Sequence, residues 1–325
     1  MTDRYSFIAG SLCQTGDRYL RSGYKEAALT IPQVLRSMNE RGVAQGVELH
    51  HRGTETPADV DALRDALGPL RVTYVNAWTY GERQWRFGSL SAADRSTRRE
   101  AVARCKAAIG YARELGALGV SLWLGQDGFD YAFQTDYRSQ WEALLESLRE
   151  LCDDAQGMPV ALEPKAREPR NRSLIDTVQT ALLLRMESRR ENLGITVDTG
   201  HVLCGGQGAG PSLMLAMRHE ALYNVHVNDN YGAWDDDMIV GSVHLNEALE
   251  IFYLLKKYRY QGYLSVDIFP YREDPFDAVE ESIRCMMDYD RVVERLGVER
   301  IDGLIAAGDV PATLRALRQA VFGPA

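Results

Sequence analysis

Short apolar runs alternate with amphipathic stretches along the whole chain of 325 residues, and this repeat constrains the fold more than any other feature. Helical periodicity is clearest over residues 94–117 and 140–157. The runs between such stretches are rich in β-branched and aromatic residues and nearly continuous in apolar residues, as in parallel strands covered on both faces. Eight strands are predicted, over residues 5–12, 46–51, 72–78, 119–125, 158–164, 193–200, 222–229 and 262–269.

Eight repeats of a strand followed by a helix predict an α/β fold of the (β/α)8 TIM barrel type. The length suits one such barrel, whose typical size is about 250 residues plus insertions. A doubly wound open sheet is the alternative, but it would gather its functional residues at one switch point instead of at many strand ends. We therefore predict a barrel domain over residues 1–298 and a short C-terminal helical extension over residues 299–325.

The bulk composition restricts the partners and the compartment. A net charge of −9 and a pI near 5.3 disfavour a nucleic-acid surface, which is normally basic. No run approaches the roughly 18 apolar residues of a transmembrane helix, and the amino terminus has no apolar signal segment. The five cysteines are odd in number and form no CxxC pair, which favours free thiols in a reducing compartment. The sequence predicts a cytoplasmic protein that binds neither nucleic acid nor membranes.

Carboxylates and histidines follow the last four predicted strands. Barrel enzymes place their chemistry where strands end and loops begin, so these side chains are expected at one mouth of the barrel. Two short-range pairs occur in TVDTGH and WDDDM, and an extended DxD segment would present both carboxylates to the same side. The candidate metal ligands are Glu163, Asp198, His201, His226, Asp235, Asp237 and Asp267.

The charge of this group indicates bound cations. Two carboxylates about 5 Å apart repel by about 3 kcal/mol at an effective dielectric constant near 20. Five carboxylates in one mouth therefore need counter-charge, which two divalent cations and Lys165 would supply. Oxygen-rich ligation with one imidazole per ion favours Mg²⁺, Mn²⁺ or Co²⁺ over a structural thiolate zinc. The sequence therefore predicts two divalent metal ions per chain.

Several motifs resemble those of the xylose isomerase-like barrels, which include xylose isomerase and the bacterial L-rhamnose isomerases. The resemblance spans roughly residues 87–290. The motifs that carry it stand in the family's order: residues 87–117, WLGQDGFDY (123–131), LEPKAREP (162–169), HVNDNYGAWDDDM (226–238) and SVDIFPYRED (265–274).

The resemblance implies a division of the ligands between two metals. The first metal would be held by Glu163, Asp198, His226 and Asp267. The second would be held by Asp198, His201, Asp235 and Asp237. This choice of aspartate and histidine is closer to the rhamnose isomerases than to xylose isomerase.

The resemblance also implies roles toward a substrate. Lys165 would hydrogen-bond the substrate carbonyl, and Trp123 with Phe129 would wall the pocket. Arg272 matches a family arginine after the eighth strand. His50 would reach the ring oxygen or anomeric hydroxyl of a sugar, although Gly53 stands where the family has the aspartate partner of its ring-opening histidine.

The function implied is a divalent-metal-dependent aldose–ketose isomerase that acts on a free, unphosphorylated monosaccharide by a metal-assisted 1,2-hydride shift. A homodimer or homotetramer is expected. One alternative is a one-metal ketose 3-epimerase or isomerase that transfers protons through carboxylates, for which Glu163 and Asp267 would be the catalytic pair. The other is a lyase subunit like the C-glycoside deglycosidases, which would be inert toward free aldoses.

Overall fold

The computed structural model describes residues 4–17, 20 and 22–323. The first three residues of the predicted barrel domain, three residues of the loop 13–26 and the last two residues of the predicted extension lie outside this description. Every element discussed below belongs to the described residues.

Eight parallel strands form a barrel, which confirms the predicted fold class. Each predicted strand is present, and the sheet order follows the chain from β1 through β8, β7, β6, β5, β4 and β3 to β2. The remaining edges meet where the Ala9 amide donates to the Glu48 carbonyl at 3.1 Å and the Gln45 amide donates to the Tyr5 carbonyl at 2.9 Å. The strands are β1 (Tyr5–Phe7), β2 (Gly46–His51), β3 (Arg71–Ala77), β4 (Gly119–Leu122), β5 (Val160–Leu162), β6 (Leu193–Asp198), β7 (Leu222–Val227) and β8 (Leu264–Val266).

Helices follow the strands and cover the outside of the barrel. They are α1 (Ile31–Arg41), α2 (Pro57–Leu67), α3 (Arg95–Glu114), α4 (Tyr137–Ala155), α5 (Val178–Ser188), α6 (Thr199–Cys204), α7 (Ala209–Arg218), α8 (Leu245–Lys257), α9 (Pro275–Leu296), α10 (Val298–Ala307) and α11 (Val310–Phe322). The boundary predicted at residue 299 falls on the second residue of α10.

Local sequence explains where these elements begin and which face they bury. Helix α4 starts after Asp136, whose carboxylate accepts from the Ser139 amide at 3.0 Å and so satisfies a free donor of the first turn. Its buried stripe includes Leu144, Leu148 and Leu151, at the spacing of one helix face. In β6 all six residues are buried, because the strand is covered by helices outside and by side chains inside the barrel.

The barrel interior contains several polar side chains where bulky branched residues are usual. The Ser6 and Thr73 hydroxyls lie 3.2 Å apart, and so do the hydroxyls of Ser121 and Thr196. Glu48 on β2 is completely buried among them. Each of these groups has a hydrogen-bond partner, which is the condition for burying it at modest cost.

The barrel carries two additional elements, a small antiparallel sheet and a C-terminal helix. A three-stranded antiparallel sheet that the sequence patterns did not predict joins Gly128–Phe129, Arg167–Glu168 and Asn171–Ser173 beyond the ends of β4 and β5. At the carboxyl end, α11 contacts α9 through a hydrogen bond of 2.8 Å from Arg295 to the Ala320 carbonyl. No helix among the described residues is apolar and long enough to cross a membrane. All five cysteines are free thiols.

Candidate metal centre

Four predicted ligands converge at the carboxyl ends of β5 to β8. Nδ1 of His226 lies 3.2 Å from Oε1 of Glu163, 3.3 Å from Oδ2 of Asp267 and 3.8 Å from Oδ2 of Asp198. One ligand atom from each of the four residues lies within 4.8 Å of the others. Three of the residues are buried and Asp267 is partly exposed, so the group could hold a metal ion at the floor of an open mouth.

Sheet register explains why these side chains meet. His226 stands opposite Asp198 in β6 and opposite Ser265 in β8. The Asp267 amide donates to the Val227 carbonyl at 3.2 Å, and this bond fixes Asp267 just beyond β8. The ends of four consecutive parallel strands therefore bring their ligand side chains together at one mouth of the barrel.

A second group adjoins the first and shares Asp198 with it. Ligand atoms of Asp198, His201 and Asp235 lie within 4.8 Å of one another. β6 runs directly into α6, and Asp198 caps that helix by accepting from the His201 amide at 2.8 Å. The DxxH spacing thus places the capping carboxylate and the imidazole on one side of the first helical turn. Nε2 of His201 is 3.2 Å from Oδ2 of Asp235.

The loop after β7 brings Asp235 back over the mouth. Asp229 and Met238 pair through two backbone hydrogen bonds of 3.1 and 2.9 Å, which close the intervening segment into a compact excursion. The buried Asp229 carboxylate also accepts from the amides of Val243 and His244, at 2.7 and 2.9 Å, and lies 2.7 Å from Nδ1 of His244. These contacts anchor the aspartate-rich loop to the start of α8.

Lys165 lies between the second group and the opposite wall. Its Nζ is 2.8 Å from Oδ2 of Asp235, contacts Glu168, and stands 5.1 Å from the centre of the Trp123 ring. Burial lowers the pKa of Lys165, but Asp235 and Glu168 outweigh this effect and raise the pKa above its ordinary value. The ammonium group is therefore charged and held in place.

The electrostatics of the centre show an excess of negative charge. Burial, with Asp235 and Glu163 nearby, raises the pKa of Asp198 to about 7 although His201 acts against it. Burial also raises the pKa of Asp237 well above its ordinary value. For His201, burial lowers the pKa, but Asp198 and Asp235 outweigh it and raise the pKa to about 9. Carboxyls that resist ionisation and imidazoles that attract protons are typical of a buried acidic cluster that can bind a cation.

The donor set fits a divalent metal ion. Carboxylate oxygens and imidazole nitrogens in tight groups are ligands for Mg²⁺, Mn²⁺ or similar ions. Oδ1 of Asp235 is buried and receives no hydrogen bond from the described residues, so a lone pair remains free for an ion. The site could therefore hold a metal in the first group, with room for ligation in the second.

A cavity of about 330 Å³ opens over these ligands, and its other wall is aromatic. The Trp78 and Tyr80 rings lie 4.2 Å apart, and Tyr80 meets Trp123 edge to face at 4.4 Å. His50 packs edge-on against Trp78 at 5.2 Å, and its Nδ1 is buried without a hydrogen-bond partner among the described residues. Burial lowers the pKa of His50 to about 4, so the ring is neutral at pH 7. His51, its neighbour, faces outward and lies 3.4 Å from Glu55.

Two predicted site residues lie outside this cavity, and a third lines it but is not in the second ligand group. Phe129 lies in the small antiparallel sheet and packs on Tyr137 at 5.0 Å, outside the cavity. Arg272 is exposed on the outer rim and stacks over the Tyr24 ring at 4.4 Å. Asp237 lines the cavity but is not in the second ligand group. Its φ of 49° is left-handed, so the segment is not the extended DxD that the sequence predicts, although both aspartates line the cavity.

Two groups around the ligands escaped the sequence patterns. Glu48 lies 3.2 Å from Nε2 of His226 through both of its oxygens. Asn228 donates from Nδ2 to both carboxylate oxygens of Asp198, at 3.2 and 3.1 Å. One pattern could have pointed to Glu48. Side chains alternate between the two faces of a strand, so Glu48 lies on the same inward face of β2 as His50.

Comparison with known proteins matches this architecture. The sequence model of the family described as xylose isomerase-like TIM barrel matches residues 21–289. The chain belongs to this family. The resemblance predicted from the motifs is thereby confirmed.

Solved structures share the fold at low sequence identity. A D-tagatose 3-epimerase-like protein superposes with a TM-score of 0.69 at 18% identity, covering 90% of this chain and 98% of that one. An L-ribulose 3-epimerase gives 0.66 at 18%, covering 90% and 98%. The 3-keto-D-glucoside 4-epimerase from E. coli gives 0.64 at 20%, covering 84% and 98%. At these identities the similarity shows the fold.

Proposed function

We propose that the protein is a divalent-metal-dependent aldose–ketose isomerase that acts on a free, unphosphorylated monosaccharide by a 1,2-hydride shift. The observation that carries the proposal is the second ligand group, which adjoins the first and shares Asp198 with it. In a one-metal enzyme His201 and Asp235 would not ligate an ion, so this group is the feature that favours a second ion.

Each ligand group would hold one ion. Glu163, Asp198, His226 and Asp267 would hold the first ion, and Asp198, His201 and Asp235 the second, with Asp237 joining if its side chain turns toward the ion. A divalent ion in such a site supplies positive charge that orients sugar oxygens and polarises a carbonyl.

In the proposed reaction the hydrogen on C2 of the aldose moves to C1 with its electron pair, while O2 loses a proton and O1 gains one. Lys165, charged and held by Asp235, would donate a hydrogen bond to the carbonyl oxygen and stabilise the negative charge that grows there. His50, neutral at pH 7 and part of the cavity wall, would hydrogen-bond a sugar hydroxyl through Nε2, since its Nδ1 is buried. The Trp78, Tyr80 and Trp123 rings would exclude water from the hydride path.

The charge around the cavity favours an unphosphorylated substrate. Among the described residues that line the cavity over the ligands, Lys165 is the one lysine or arginine, and two carboxylates already pair with it. A phosphate there would meet carboxylates instead of free cations. A neutral sugar, rich in hydroxyls and with one apolar face, matches the acidic and aromatic walls better.

The competing function is a ketose 3-epimerase with one ion, and one observation favours it. Glu163 and Asp267 both line the cavity and both approach Nδ1 of His226, so a pair of carboxylates is available for proton transfer. Asp267 is shorter than the glutamate that would suit this role, which weighs against it.

Proton NMR of the Mg²⁺-loaded protein in D₂O distinguishes these functions. The substrates are free aldoses and ketoses, including xylose, lyxose, rhamnose, arabinose and apiose. Interconversion of an aldose and a ketose without deuterium at C1 or C2 is the expected result. Deuterium on the carbon that changes configuration or oxidation state would identify carboxylate proton transfer. If no free sugar reacts, the isomerase proposal fails and the lyase subunit becomes the leading function.

A lysine variant tests the proposed role of Lys165 in the same assay. Lys165→Met is expected to lower kcat by about 10²- to 10³-fold, the usual cost of one preorganised donor in the transition state. Mn²⁺ affinity should not fall, since the substitution removes a positive charge. Lys106→Met is the matched control, because Lys106 pairs with Glu150 on the outer helices and lies far from the mouth. Equal turnover in both variants would remove Lys165 from the mechanism.

Three expectations from the sequence stay predictions: two ions per chain with Mg²⁺, Mn²⁺ or Co²⁺ as the metal, a homodimer or homotetramer, and a cytoplasmic location.

A further inference from the structure

Glu48 on β2 is a completely buried carboxylate that does not line the cavity. A carboxylate in the interior is costly unless hydrogen bonds and a positive or polar partner satisfy it. Four side chains from three other strands point hydrogen-bond donors at it. They are Asn76 at 3.0 Å, Asn224 at 2.7 Å, Ser265 at 2.5 Å and Nε2 of His226 at 3.2 Å. These four hydrogen bonds fix the position and orientation of the Glu48 carboxylate.

The two nitrogens of His226 face different surroundings. Nε2 lies 3.2 Å from both Glu48 oxygens, its hydrogen-bond partners among the described residues. Nδ1 faces the carboxylates of Glu163, Asp198 and Asp267 at 3.2 to 3.8 Å. A neutral imidazole carries its proton on one nitrogen and a lone pair on the other, and an ionised carboxylate can only accept. A cation among the three carboxylates needs the lone pair on Nδ1, which requires the proton on Nε2.

We propose that Glu48 is the positioning residue that keeps the His226 proton on Nε2 and thereby aims the Nδ1 lone pair at the metal centre. Histidine ligands almost always donate their second N–H to a carboxylate, a backbone carbonyl or water, and this partner fixes the tautomer and the ring plane. The inference rests on the metal-binding part of the proposed function. It adds a residue that touches neither metal nor substrate.

His201 provides an internal contrast. Its Nδ1 lies 3.2 Å from the Pro164 carbonyl, whereas its Nε2 faces Asp235 at 3.2 Å. The Pro164 carbonyl therefore accepts a hydrogen bond from Nδ1–H, and Nε2 is the nitrogen available to an ion. The two histidines should present opposite nitrogens to the metal centre, one fixed by a side chain and the other by the main chain.

The tautomers can be measured on the unaltered protein. Long-range ¹H–¹⁵N correlation spectra of the full chain, labelled at histidine nitrogens and loaded with diamagnetic Mg²⁺, report which ring nitrogen carries the proton. His226 is expected to be protonated on Nε2 and His201 on Nδ1, with signals assigned from His226→Asn and His201→Asn spectra. A proton on Nδ1 of His226 in the loaded protein would overturn the proposal without any appeal to a Glu48 variant.

Metal affinity gives the second readout. In Mn²⁺ titrations of the metal-free full chain by calorimetry, Glu48→Gln is expected to bind about 10- to 100-fold more weakly than the wild type, the usual effect of removing such a partner. Ser121→Ala also alters a buried polar group of the barrel interior, but Ser121 bonds to Thr196 and not to His226, so its affinity should stay within about twofold.

The outcomes separate the two proposals. If the wild type and Glu48→Gln bind Mn²⁺ equally, Glu48 has no positioning role, although the metal centre stands. If the wild type binds no Mn²⁺, the metal chemistry proposed for the protein fails, and the role of Glu48 fails with it. Should Glu48→Gln not fold, as judged by circular dichroism, the wild-type tautomer decides the matter alone.

Discussion

The two halves of the barrel mouth differ in their chemistry. The half built by β5 to β8 supplies the ligand candidates, all carboxylates and imidazoles. The half built by β1 to β4 supplies His50, Trp78, Tyr80 and Trp123, and its described cavity-lining residues include no carboxylate. Lys165 bridges them, since it pairs with Asp235 and stands over the Trp123 ring.

This asymmetry indicates that the acidic half binds metal and the aromatic half binds the substrate. A cation binds most strongly where carboxylates converge at a buried site with little water. A sugar ring, in contrast, offers an apolar face that packs on aromatic rings and hydroxyls that reach past them. If the division is correct, variants of the acidic half should change metal binding, and variants of the aromatic half should change substrate binding alone.

The largest effect is expected at Asp198, which both ligand groups share. Asp198→Asn should weaken Mn²⁺ binding by at least about 100-fold, more than the loss of an outer partner would. For the wild type, Mn²⁺ at about 100 times its dissociation constant should stabilise the fold by about 2.7 kcal/mol. Thermal unfolding with and without Mn²⁺ measures both quantities, and at that concentration the variant should gain no more than about 0.4 kcal/mol.

The same substitution should act in the opposite direction without metal. Because the pKa of Asp198 is raised to about 7 in the fold, an ionised Asp198 lowers stability at higher pH. At pH 8, metal-free Asp198→Asn should therefore be more stable than the metal-free wild type, since asparagine can still cap α6. Asp236→Asn is the control, because Asp236 lies in the same loop as Asp235 but outside both ligand groups. A wild-type-like response to Mn²⁺ in Asp198→Asn would refute the shared-ligand interpretation.

A smaller effect is expected in the aromatic half. Trp123→Leu removes a cavity wall whose apolar contact with the sugar should contribute about 1–2 kcal/mol, and it also removes the cation–π contact with Lys165. KM for the sugar should rise by about 5- to 30-fold, while Mn²⁺ affinity stays as in the wild type. Phe129→Leu is the matched substitution, since Phe129 lies outside the cavity, and its KM should change by less than about twofold. Equal effects at both positions would show that the cavity is not where the sugar binds.

The comparison also explains what could be predicted from the sequence. The ligands of the acidic half could be predicted because each apolar strand is followed by a carboxylate or an imidazole. These are Glu163, Asp198, His226 and Asp267, at four consecutive strand ends. The aromatic half was less readable. Trp78 and Tyr80 follow an apolar run in which aromatic residues are ordinary, and no spacing rule distinguishes a cavity wall from core packing.

Other differences have local causes. The small antiparallel sheet has strands of two or three residues, too short for a period to appear in the sequence. It carries Phe129 away from the cavity. Asp237 adopts a left-handed backbone, which a pattern of alternating aspartates does not foretell. Glu48 was overlooked because a single acid within a strand is usually an exposed residue, and its burial depends on donors from three distant strands.

The smallest expected effect tests whether the neutral histidine of the aromatic half takes part in the reaction. A Cβ at Gly10 would lie 2.4 Å from Nδ1 of His50, so Gly10→Ala must displace the ring. The backbone itself tolerates alanine, because φ is −65° and ψ is −32°.

We expect Gly10→Ala to lower kcat/KM by a few fold, up to about tenfold, through misplacement of His50, with Mn²⁺ affinity unaltered. Gly110→Ala in α3 is the control: apart from the backbone of its own helix, no atom of the described residues lies within 4 Å of the added Cβ, and the helix should gain up to about 1 kcal/mol in unfolding free energy. If Gly10→Ala retains full kcat/KM while crystallography or NMR shows the His50 ring displaced, then His50 does not contact the substrate, and the aromatic half acts through its indole and phenol rings alone.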